Sequence, residues 1–243
     1  MLHTKSLYSQ QSTFSKKVVE MLELKENFKN VKNYQIFGHS QNRQKQSFCG
    51  PENSKRIFSE SKIFDKEVKS LKDYILLITV DAKNYQKTAI DIVKFFVNEQ
   101  GIPGVYVTLN KPYEIMQRSL ASSNIDQRLV IFIDVASRTE VKKVENCLYI
   151  GNPEKLSDLS VAMDQAVKSL PTPDKFLIFD SLNTLSIFNN PNIVARFIHF
   201  LTGKMREWRI KGVIITLEKE TEQALLDELT QFSDVRVDLG SES

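Results

Sequence analysis

From residue 71 onward the chain alternates short, almost wholly apolar runs with longer stretches in which apolar residues recur every three or four positions. The run 74–80, Tyr-Ile-Leu-Leu-Ile-Thr-Val, offers no polar face, as expected of a strand buried on both sides of a parallel sheet. Ala89, Ile92, Val93 and Phe96 then mark one face of a helix that ends before Gly101. A second strand is predicted at 105–109, and Pro112, suited to a first helical position, opens a helix through Ile115, Met116 and Leu120. Further strands are predicted at 129–135, 147–150, 176–180, 213–217 and 235–239. Ser157 is the expected cap of a helix bearing Leu159, Met163, Ala166 and Leu170, with Leu156 and Val161 as its hydrophobic staple. Asn189 or Asn190 before Pro191 introduces a long helix with Val194, Phe197, Leu201, Met205 and Trp208 on one face, ended by Gly212. A last helix is expected around 224–229. This alternation defines an α/β domain over 71–243, with a mainly parallel sheet covered by helices and ligands expected beyond the carboxyl ends of its strands.

Residues 1–70 form a different region. Phe14, Val18, Met21, Leu24, Phe28 and Val31 predict one amphipathic helix over about 14–34, whereas 38–62 is polar, without a period, and expected to be a disordered linker. The net charge of +3 divides unevenly: residues 1–70 carry 13 Lys/Arg against 7 Asp/Glu, and the remainder 20 against 23. A basic extension interleaved with Phe48, Phe58 and Phe64 suits nucleic-acid phosphates or an acidic partner, and is equally what a solvated tail looks like. Cys49 and Cys147, with His3, His39 and His199, match no metal-ligand spacing, so neither a zinc site nor a disulfide framework is expected. No apolar run approaches a bilayer span and no secretory h-region is present, which predicts a cytoplasmic protein without a membrane partner.

The chemistry concentrates at two strand ends. Directly after the first strand comes Asp81-Ala82-Lys83-Asn84-Tyr85-Gln86-Lys87-Thr88, in the place and with the terminal Lys-Thr of a Walker A loop, G-x-x-x-x-G-K-[ST]. Asp81 and Gln86 stand where the glycines belong, and no glycine occurs between Gly50 and Gly101. Glycines matter there because successive backbone N–H groups must curl into a nest around phosphate; Asn84 alone tolerates the left-handed region well. Further on, Phe176-Leu177-Ile178-Phe179-Asp180-Ser181 has the form of a Walker B strand, whose aspartate holds Mg²⁺ together with the loop hydroxyl. The alternative for Asp180 is a cap of the following turn.

With Phe179 to Leu185 (Phe-Asp-Ser-Leu-Asn-Thr-Leu), Val107-Thr108-Leu109 and the segment from Gly212 to Glu218, the chain resembles the RecA/KaiC-like ATPase superfamily, particularly its bacterial and archaeal KaiC-type members. The resemblance runs from about Tyr74 to Leu239 and implies a RecA-like three-layer domain preceded by the N-terminal extension. It implies a remnant nucleotide site of Asp81, Asn84, Gln86, Lys87, Thr88, Asp180 and Ser181 for ATP, with Lys87 on phosphate and Thr88 and Asp180 on Mg²⁺. Family members place glutamates just after Val-Thr-x to activate water, where this chain has Asn110 and Lys111.

The expected function is therefore a non-hydrolysing regulatory or interaction module, a pseudo-ATPase, working through a protein partner or self-association. One alternative is a KaiC-like signalling protein that binds ATP and hydrolyses it weakly or slowly. A lower-ranked one is a receiver-like phosphoacceptor domain, since Asp81, Asp134 and Asp180 all end apolar strands. His199 is read as a partly exposed helix position and Trp208 as core rather than as a base-stacking platform.

Overall fold

The computed structural model describes residues 71–137, 144–217 and 221–239. The expected helix at 14–34 and the linker at 38–62 lie outside the described residues. Seven strands line up in one parallel sheet: β1 (Tyr74–Val80), β2 (Gly104–Thr108), β3 (Val130–Asp134), β4 (Cys147–Tyr149), β5 (Phe176–Asp180), β6 (Lys211–Leu217) and β7 (Val235–Leu239). Their spatial order is β4-β3-β2-β5-β6-β1-β7, so β5 and β6 slot between β1 and β2. Every residue of β1, β2, β3 and β5 is buried, which is why their sequences carry no polar alternation.

Helices cover both faces. Helix α1 (Tyr85–Lys94), extended by a π-helical turn (Phe95–Glu99), and α2 (Tyr113–Ser122) share one face. On that side Phe96 stacks on Phe176, with ring centroids 4.8 Å apart. Phe179, of opposite parity in the same strand, meets Phe197 of α5 on the other face at 5.9 Å. That second layer holds α3 (Leu156–Ser169), the short α4 (Leu182–Phe188), α5 (Pro191–Trp208) and α6 (Gln223–Phe232). Two close approaches set the spacing: a Cβ at Gly104 would lie 2.4 Å from the Phe176 ring, and one at Gly212 would lie 2.6 Å from Met205 Sδ.

Several local expectations shift. Pro112 is the residue before α2 rather than its first. Ser157 does not cap α3, which begins at Leu156 after Lys155, and Val161 is exposed instead of closing a staple. The turn ahead of α3 is held by Asn152, whose Oδ1 accepts from Glu154 N at 2.8 Å. Asn190 caps α5 as expected, its side chain accepting from Asn192 N. The helix stops at Arg209, in the left-handed region at φ 50°, and Gly212 lies inside β6, where it admits Met205. Helix α4 is absent from the hydrophobic reading because seven residues are too few to establish a period.

Candidate nucleotide site at the carboxyl edge

Asp81 follows the last residue of β1 and organises everything after it. Its backbone oxygen accepts from Asn84 N at 3.2 Å and, at helical spacing, from Tyr85 N at 3.1 Å. Its carboxylate accepts from the same Asn84 N–H at 2.7 Å and from Asn84 Nδ2 at 3.0 Å. The residues expected to form a loop have thus wound toward α1, with Asp81 acting as the anionic cap of the turn. A phosphate nest needs free backbone N–H groups aimed at its ligand. Here the chain's own carboxylate takes the Asn84 amide.

The remaining site residues separate. Lys87 is exposed, and the carboxylate that feels its charge is Asp91, one turn along α1; burial raises the Asp91 pKa while Lys87 and Lys94 oppose that rise. Thr88 is buried, with its backbone N–H bonded to Asn84 O. β6 lies between β1 and β5, so two strand spacings, about 10 Å, separate the strand ends that carry the Thr88 turn and Asp180. No hydrogen bond joins Thr88 and Asp180 among the described residues.

Asp180 is enclosed. Tyr106, in the neighbouring β2, donates its hydroxyl to Asp180 Oδ2, while Oδ1 is buried without a partner. Desolvation pushes the Asp180 carboxyl up to about 8, and the buried Tyr106 hydroxyl is also shifted upward. The Asp180–Ser181 peptide is cis. Ser181 Oγ faces Thr184 Oγ1 at 3.3 Å, and Asn183 ties α4 to β6 by accepting from Leu217 N at 2.6 Å and Thr216 Oγ1 at 3.0 Å.

Lys111, where the resemblance leads one to expect a water-activating glutamate, donates its amine to Gln86 Oε1. Gln86 Nε2 donates in turn to Ser119 Oγ of α2 at 3.1 Å. Partial burial lowers the Lys111 pKa. Tyr106 carries no local signature of a site residue in the sequence. The available signal was a hydroxyl of the same strand parity as Thr108, which pairs with Asp180.

As arranged, these residues do not fit a magnesium triphosphate. Asp81 takes the Asn84 amide, Lys111 is bonded to Gln86, and Asp180, whose Oδ1 is one of the buried oxygens without a partner among the described residues, is enclosed, with desolvation pushing its carboxyl up to about 8. The described cavity of about 180 Å³ lies at the opposite, amino edge of the sheet, lined in part by Leu71, Asp73, Arg206 and Asp234.

Asp134 is buried, and its carboxylate accepts from Tyr113 N, Ala136 N, Ser137 N and Ser137 Oγ at 2.6–2.9 Å, which makes it the clasp of the β3 end. His199 is exposed on α5 against the Phe232 ring, and Trp208 is half-buried with Nε1 donating to Asp164. Among the described residues no helix is long and apolar enough to cross a membrane.

An all-parallel, three-layer sheet with a Lys-Thr helix start after β1 and an aspartate at the end of a strand two places away defines a P-loop-type α/β domain. The family model described as "ATPase: KaiC" matches residues 87–235, more than half of the chain, and the protein belongs to that family. The match begins at Lys87, after the turn that Asp81 caps. Among solved structures, a KaiC-like protein of the hyperthermophilic archaeon Pyrococcus horikoshii is similar, with a TM-score of 0.51 and 16% identity over 68% of this chain and 71% of that one. No curated protein matches the sequence.

Proposed function

We propose that this KaiC-family domain is a non-hydrolysing interaction or regulatory module that works through a protein partner and not through nucleotide turnover. The observation that carries this reading is the Asp81 carboxylate on the Asn84 amide, an internal anion at the turn where a phosphate would have to enter. The enclosed, Tyr106-bonded Asp180 and the Lys111 amine at the base position support it. Hydrolysis needs a metal ligand and a group able to deprotonate or orient water; among the described residues Asp180 is enclosed and no acid stands directly after β2.

Purified full-length protein is expected to show no ATP turnover above background and no thermal shift with millimolar ATP and Mg²⁺. Turnover abolished by Lys87→Ala would overturn the reading. A second reading, ATP binding without rapid turnover, is favoured by the exposed Lys87 at its family position. It requires the turn 82–84 to unwind, and a calorimetric titration with ATP and Mg²⁺ that gave heat in the wild type and none in Lys87→Ala would establish it.

A further inference from the structure

Resting on the reading of the domain as an interaction module, we propose that the surface formed by the first turn of α1 and by α2 is a preformed docking site for an acidic protein segment carrying an apolar anchor. Lys83, Lys87, Lys111 and Arg118 form its charge and Ile115 its apolar centre.

These residues share one surface because the two elements are joined. Gln86 bonds Ser119 of α2 at 3.1 Å and also accepts from Lys111, while Ser119 Oγ bonds Ile115 O at 3.0 Å, so the start of α1, the β2–α2 connection and the middle of α2 meet. Lys83 lies three residues before Gln86 and four before Lys87, on a turn of helical spacing, which puts both lysines beside this joint. Arg118 lies three residues after Ile115 on α2. Lys83, Lys87, Ile115 and Arg118 are exposed, Ile115 at 39%.

The cations outnumber the acids of this surface. Among the described residues none of the four cations forms an ion pair, and the carboxylate acting on Lys87, Asp91, is buried. Asp81 is bonded only to the neutral amide groups of Asn84 and counts as one acid against the four cations. Glu114 is the one exposed acid of this face, and Arg118 bonds its backbone oxygen, not its carboxylate. The Lys111–Gln86–Ser119 connection fixes the surface before any partner arrives, which reduces the ordering cost of binding.

Charge and shape select the occupant. The N-terminal extension of the same chain is basic overall, 13 Lys/Arg against 7 Asp/Glu, which disfavours it as a whole as the occupant. Nucleic acid is disfavoured because the apolar centre is an aliphatic side chain, while Tyr113, the aromatic residue of α2, is buried and offers no ring for base stacking. Carboxylates around one aliphatic or aromatic anchor complement four cations around an isoleucine.

The test is fluorescence anisotropy of the full chain with a labelled peptide of aspartate and glutamate around one leucine, beside a glutamine-substituted peptide and a single-stranded oligothymidylate. The acidic peptide is expected to bind, to weaken as salt rises, and to lose about tenfold in affinity with K83E/K87E, with R118E and with I115D. Melting temperatures near that of the wild type establish that these surface variants are folded. No acidic-peptide binding, equal binding by the glutamine peptide, binding unchanged in the folded variants, or tighter binding of the oligothymidylate would each overturn the proposal. ATP turnover lost in Lys87→Ala would instead strike the module reading on which it rests.

Discussion

Lys111 donates its side-chain amine to the side-chain oxygen of Gln86. The resemblance to the Walker pattern sets Gln86 at its second glycine and Lys111 where a water-activating acid is expected, and the two residues are bonded to each other. A glycine at 86 would leave Lys111 without this acceptor, and a glutamate at 111 would present no amine to it. Together with Asp81 on Asn84, the pair joins α1, α2 and the end of β2.

The joint predicts energetic coupling. Lys111→Met and Gln86→Leu should each lower unfolding free energy by about 1 kcal/mol, and the double variant should fall short of their sum by a comparable amount. Urea unfolding of the four members of the cycle measures this. Strict additivity would show that the bond contributes nothing.

Asp81 should behave as a cap whether or not any anion is present. Asp81→Ala is expected to cost about 1 kcal/mol, a fall of about 3 °C in melting temperature, while Asp81→Asn should retain most of the stability because asparagine caps comparably. Equal loss in both variants would assign the effect to charge rather than to the hydrogen bonds.

Gly104 pairs in register with Phe176, whose ring would lie 2.4 Å from an added Cβ and is itself held by Phe96. Gly104→Ala should therefore destabilise by about 2 kcal/mol through overpacking. Phe176→Leu should relieve part of that cost in combination, so the double variant is predicted to be more stable than the sum of the single effects implies. Thermal or urea unfolding checks the non-additivity.

What could be read in the sequence follows from which forces are local. The strands at β1, β2, β3 and β5 are legible because burial on both faces removes every polar residue but a few threonines, tyrosines and terminal aspartates. The start of α5 is legible because Asn190 and Pro191 each satisfy a local requirement of a helix N-terminus. The site was legible only as a set of positions. Aligning Asp81 with a Walker glycine hid its ordinary role as a helix cap, although an aspartate between a strand and a helix carries that signal. The Lys111–Gln86 and Tyr106–Asp180 bonds span 25 and 74 residues and depend on which strands become neighbours, which no local pattern encodes. Gly212 has the local look of a helix stop, but its function, admitting Met205, is likewise set by tertiary packing.

Asp180 predicts a pH dependence whose sign is fixed by burial. In the unfolded chain its carboxyl titrates in the ordinary range, whereas desolvation in the fold pushes it up to about 8. Between those values the folded state holds the proton more tightly. The stability contributed by the neutral, Tyr106-bonded carboxyl is therefore full below the ordinary carboxylate pKa, is lost steadily as pH rises to about 8, and stays lost above it. Asp180→Asn keeps an oxygen to accept the Tyr106 hydroxyl and cannot ionise. Its stability relative to wild type should thus improve steadily from about pH 5 to about pH 8 and level off beyond. Urea unfolding of both proteins across this range decides the matter; parallel curves would mean that Asp180 ionises in the folded protein as readily as in water, and that the enclosure seen at the end of β5 does not hold it neutral.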